Sequence, residues 1–170
     1  MSDQYTRQEI QERLLKSYQP YFDINPCDES EQPLVARCGF HVKSSKYVLV
    51  KKAELWKTEG NEHLFLFSMP RLTAELFEQC KNLAYEEGMK LIDPKPGHMY
   101  TYITTVFICD ECDDAARTAL KKCRIHKSFQ FSLRGWMDFH TGLIDLKSNT
   151  TLTNQSGKCN ADFLKKILQV

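Results

Sequence analysis

Glycine and proline are both scarce, at 7 and 6 residues in a chain of 170. That excludes a collagenous, low-complexity or linker-rich chain, and no internal repeat is present. No stretch approaches the ~20 apolar residues that a membrane-crossing helix needs. Charge of one sign is also missing: 23 Lys and Arg stand against 22 Asp and Glu, for a net charge of +1. A dedicated nucleic-acid binder normally carries a basic excess, and the lysine pairs Lys51-Lys52, Lys121-Lys122 and Lys165-Lys166 fall in separate segments, so the balance argues against nucleic acid as a partner. The glycine-rich and catalytic signatures GxGxxG, GxxxxGK[ST], HExxH and GxSxG are all absent, which removes the usual support for nucleotide-binding, zincin and α/β-hydrolase chemistry. No cofactor is named by the sequence.

What the chain does contain is an ordinary globular composition, 42% hydrophobic and 26% charged, with 10 Phe, 7 Tyr and 2 Trp. A single domain over 1–170 with a real core is expected at this length. The N-terminus, Met1 to Glu12, has no apolar centre, so a chain without a signal peptide is expected. The seven cysteines are odd in number and lack disulfide spacing. Together these predict a cytoplasmic protein with reduced thiols.

Thr6-Arg7-Gln8-Glu9 is a capping-box pattern that opens a first helix with Ile10, Leu14 and Tyr18 on one face, ended by Pro20. Asn25 to Pro33 reads as a polar connection. Leu34–Val42, Lys46–Trp56 and His63–Phe67 then read as a meander of three strands. A second helix is expected to start at Ser68 and Pro70, to bury Leu72, Leu76, Cys80 and Leu83, and to stop at Gly88. Strand-like residues His98–Cys109 follow, then a helix capped by Asp110, then two strands within Ser128–Leu146 with a bend near Arg134-Gly135 or Thr141-Gly142. A short helix capped by Asn160 closes the chain. The predicted class is α+β, with a mixed or mainly antiparallel sheet of five to seven strands covered by three to four helices.

Four groups of residues could carry chemistry. Cys109-Asp110-Glu111-Cys112 has redox spacing beside a helix start, but the intervening carboxylates disfavour a thiolate, and a buried strand end is the plainer reading. The same pair lacks the further ligands of a zinc site, since Cys123, Cys159 and His126 stand alone. His98, Tyr100 and Tyr102 alternate along one strand and are expected on one face, where a histidine beside two phenols could serve acid–base work or orient a ligand. Arg134, Trp136, Asp138 and His140 alternate along another, offering a cation, a stacking ring and an Asp-His pair; the bland alternative is a solvated sheet face. Glu54 and His63 on neighbouring strands could ligate a divalent metal ion, although such pairs are more often cross-strand charge contacts.

The segments KKAELW, NEHLFLF, HMYTYITTVFICDE, KSFQFSLRGWMDF and NQSGK resemble a family of uncharacterised proteins common in Clostridia-like bacteria. The resemblance covers roughly Tyr47 to Lys158; it implies a bacterial cytosolic protein, and no activity. The opening order α-β-β-β-α-β is also that of the restriction-endonuclease-like fold, whose nucleases hold Mg²⁺ with an acidic residue and a (D/E)xK triplet; the strand His63–Phe67 has no such triplet. The leading expectation is a non-catalytic binding or interaction protein, with a small-molecule ligand or a second copy of itself (a homodimer) as partner. It would use a face containing His98, Tyr100, Tyr102, Arg134, Trp136, Asp138 and His140. The rival is a divalent-metal-dependent hydrolase or degenerate nuclease built near Glu54 and His63.

Overall fold

The computed structural model describes residues 4–40 and 59–169. The expected strand Lys46–Trp56, and Glu54 with it, lie outside the described residues.

A mixed seven-stranded sheet is packed between helices, an α+β fold with four α-helices among the described residues. Helix α1 (Arg7–Tyr18) starts at the expected capping box: the Thr6 side chain accepts from the Glu9 amide, and Glu9 reaches back to the Thr6 amide. Strands β1 (Asp23–Pro26), β2 (Leu34–Phe40) and β3 (Glu59–Leu72) pair antiparallel, so part of the expected polar connection is an edge strand. From β3 the chain crosses by α2 (Ala74–Leu91) to β4 (His98–Cys112), then by α3 (Asp114–Lys122) and a short β5 (His126–Ser128) to β6 (Trp136–Asp145). Strands β3, β4 and β6 are parallel neighbours. Right-handed crossovers that step in one direction put their helices on one face of a sheet, and α2 and α3 do share one. β7 (Thr150–Thr153) and β5 both pair antiparallel with β6, at its two ends, and α4 (Ala161–Leu168) closes the fold.

Alternation sorts the central strands into two cores. Phe65, Phe67, Ile103, Phe107, Met137, Phe139 and Leu143 face α2 and α3. Leu64, Leu66, Val106, Ile108 and Ile144 face α1 and α4, meeting Ile10, Leu14, Leu164 and Ile167. Burial on both sides gives β3, β4 and β6 the nearly continuous apolar runs typical of parallel strands.

Local expectations are corrected at three places. Ser68 and Pro70 do not open a helix: β3 runs on to Leu72, and Thr73 caps α2 by accepting from the Leu76 amide. Its buried stripe is Phe77, Cys80, Ala84 and Gly88, with Leu83 39% exposed. Gly88 is not a stop but a packing residue inside α2. A Cβ there would come within 2.7 Å of the Ile103 side chain, so the glycine lets the helix lie close to β4. Asp113, not Asp110, precedes α3, because the ladder with β3 carries β4 on to Cys112. Among the described residues no helix is long and apolar enough to cross a membrane.

Candidate functional site

Over the first half of β4 and β6, the face that further along packs against α1 and α4 changes character. Tyr100 lies beside Trp136, Tyr102 beside Asp138 and Thr104 beside His140. Glu62, on the same face of β3, accepts a hydrogen bond of 2.7 Å from the Thr104 hydroxyl. The Tyr100 and Tyr102 ring centroids are 4.7 Å apart, Tyr100 and Trp136 are 6.1 Å apart, and Tyr102 and His140 are 4.3 Å apart. The result is an unbroken run of rings, Trp136–Tyr100–Tyr102–His140, with a carboxylate on either flank: Glu62 on β3 and Asp138 on β6. From β5, His126 Nδ1 donates to Asp138 Oδ1 at 2.6 Å. A glycine admits this packing: a Cβ at Gly60 would lie 2.4 Å from the Tyr100 hydroxyl.

His140 is the innermost member, 2% exposed, and its Nδ1 has no hydrogen-bond partner among the described residues. Burial pushes its pKa down to about 4, against an opposing pull from Asp138. Burial pushes Tyr102 the other way, to about 12, with the charges of Tyr100, Cys159, Asp138 and Glu62 adding to it. Tyr100 is raised by burial and by Glu62. Cys159, exposed at the turn before α4, thus lies within electrostatic reach of Tyr102. Sequence spacing gave no sign of that approach. It arises because the 154–159 turn folds back onto β6, where a Cβ at Gly157 would stand 3.3 Å from the His140 Cβ.

Two residues of the expected binding face, His98 and Arg134, lie apart from this run. A bulge at Met99, where Glu59 pairs with His98 but Gly60 with Tyr100, breaks the period-two rule, and His98 turns to the opposite face. Its Nδ1 lies 2.7 Å from the Arg134 carbonyl and its Nε2 2.8 Å from the Thr101 hydroxyl. A carbonyl only accepts, so Nδ1 donates to Arg134, while the Thr101 hydroxyl is the partner of Nε2. His98 is therefore a brace that holds the 129–135 loop. Arg134 belongs to that loop, donating to Gln130 Oε1 and to the Pro94 carbonyl. Gln130, Phe131 and Ser132 all have positive φ, and Phe131 and Leu133 are 98% and 83% exposed at its tip.

His63 alternates onto the α2–α3 side of β3, away from Asp138 and His140. Among the described residues no group of three or more His, Cys, Asp or Glu is placed to hold a metal ion. Cys109 and Cys112 are both buried. The Cys109 thiol donates to the Ile144 carbonyl and the Cys112 thiol to the Asp113 carbonyl, and the interaction of the two thiols raises Cys109 and lowers Cys112. At the carboxyl ends of β3, β4 and β6, where open parallel sheets commonly bind ligands, a hollow of about 900 Å³ borders α1. Four of its five charged residues are matched pairwise, Arg7 with Asp110 and Lys147 with Glu111, and the fifth, Glu12, accepts from the Gln8 side-chain amide.

No curated protein and no solved structure matches the chain. A family model matches residues 6–166, nearly the whole sequence, and the chain belongs to the family described as Domain of unknown function (DUF8052).

Proposed function

We propose that the chain is a single-domain binding protein that takes a small organic cation on the ring face of β4 and β6. The observation that carries this reading is the unbroken run Trp136–Tyr100–Tyr102 between the carboxylates of Glu62 and Asp138. Aromatic faces attract a cation through their quadrupoles, by ~0.5–1 kcal/mol each when exposed and ~2 or more when desolvated, and flanking carboxylates add to the same sign of field. A flat, half-buried row of rings also offers stacking area to the apolar part of such a ligand.

Binding fits better than acid–base catalysis because the titrating groups are detuned. General catalysis works best with a pKa near the operating pH. Here His140 is pushed down to about 4 and Tyr102 up to about 12, so neither exchanges protons readily at neutrality.

The test is Trp136 fluorescence in a Trp56→Phe background, titrated with benzyltrimethylammonium chloride and, separately, with uncharged benzyl alcohol. Saturable quenching by the cation is expected, weakened in Glu62→Gln and lost in Tyr102→Ala. Equal response to benzyl alcohol, or no saturation with the cation, would overturn the proposal.

A further inference from the structure

Away from the ring face, a hollow of about 710 Å³ lies where the end of α3, the connector to β5, the end of β7 and the 154–158 turn meet. Lys121, Lys122, Arg124 and Lys158 all line it, with the hydroxyls and amides of Thr118, Thr153 and Gln155 between them and no carboxylate in the lining. In a chain whose charges balance to +1, four cations with no acid among them is a local departure. None of the four forms an ion pair or side-chain hydrogen bond among the described residues. Lys121 and Lys122 complement the negative end of the α3 dipole, but Arg124 and Lys158 arrive from other segments and have no such reason to gather there.

The walls are held by a buried amide. Asn154 Oδ1 accepts from the amides of Thr141 and Gly157, while Nδ2 donates to the carbonyls of Cys123 and Phe139. Those bonds tie the connector that carries Arg124 to the turn that carries Lys158, so cations from both segments keep their spacing before any ligand arrives. Preorganised donors of this kind lower the ordering cost of binding.

We infer that this hollow binds a small phosphorylated molecule, through a phosphate or diphosphate group held by Lys121, Lys122, Arg124 and Lys158. Phosphate is the anion that matches clustered Lys and Arg with hydroxyl donors nearby. The volume falls in the range of small-ligand sites, ~300–1,000 Å³, and a net charge of +1 is not the basic excess usual for a nucleic-acid binder.

The experiment is calorimetric titration of the full chain with sodium pyrophosphate at low ionic strength. Lys122→Glu/Lys158→Glu is compared with the equally charged control Lys16→Glu/Lys90→Glu, which alters exposed lysines of α1 and α2. Binding is expected in the unmodified chain and the control, and about tenfold weaker or worse in the hollow variant, a difference of ~1.4 kcal/mol or more. The inference fails if the unmodified chain binds no pyrophosphate, or if the control loses as much affinity as the hollow variant. It also fails if duplex DNA displaces pyrophosphate and binds more tightly.

Discussion

The two halves of one sheet face, on the same three strands and in the same register, are built to different rules. Where β3, β4 and β6 run under α1 and α4, the face is Leu64, Leu66, Val106, Ile108 and Ile144. Where they start, it is Glu62, Tyr100, Tyr102, Thr104, Trp136, Asp138 and His140. A parallel strand buried on both sides has no reason to alternate. Amphipathic residues on alternate positions of these strands therefore mark where the covering layer changes, and the change falls at Thr104 and His140 in adjacent strands. The dry half is fixed by helix packing. In the other half, the rings keep part of their surface open.

That difference is broken most directly by paired truncations. Ile144→Ala, in the dry half, is expected to cost ~2–5 kcal/mol in urea unfolding, as lost burial plus a cavity. Trp136→Ala, at the half-buried end, should cost far less while removing the cation response. If the two variants are equally destabilised, the rings are core and not a binding face.

The boundary itself is sharpened by pH. His140 has a folded pKa of about 4, below its unfolded value near 6.5. A histidine kept neutral by burial contributes stability that is complete above 6.5 and is lost as pH falls toward 4, because the unfolded chain takes up the proton first. The loss attributable to this residue is roughly 3 kcal/mol. Urea midpoints compared at pH 7 and pH 5 should converge in His140→Gln relative to the unmodified protein; an unchanged pH slope would show that His140 is not the group responsible.

A smaller effect probes the opposite face as a control. Gly88→Ala should destabilise by ~1–3 kcal/mol through overpacking against Ile103, despite alanine's better helix propensity. Ile103→Val in the same chain should restore part of the loss. A neutral or stabilising Gly88→Ala would mean that α2 can lift from the sheet without cost.

Much of this was legible in the sequence, and the exceptions have identifiable causes. The Thr6–Glu9 cap depends on local chemistry and stands where spacing put it; of the two bends the sequence offered, the chain turns at Arg134-Gly135, while β6 runs on through Thr141-Gly142. Trp136, Asp138 and His140 share a face because β6 alternates without interruption. His98 left the tyrosines because a bulge is a property of the pairing and not of the strand's own residues. Gly88 has the look of a helix end, and only the partner strand shows that it is a contact. The His126–Asp138 bond and the approach of Cys159 to Tyr102 join segments distant in the chain, so no spacing could announce them.

The sheet's outer strands carry a further consequence. One edge is β1, four residues ending in Pro26, which has no amide hydrogen to offer; the other is shared by β5 and β7, three and four residues long. Short, interrupted borders of this sort give an incoming strand little continuous backbone to zip onto. The described strands thus resist recruitment into a wider sheet.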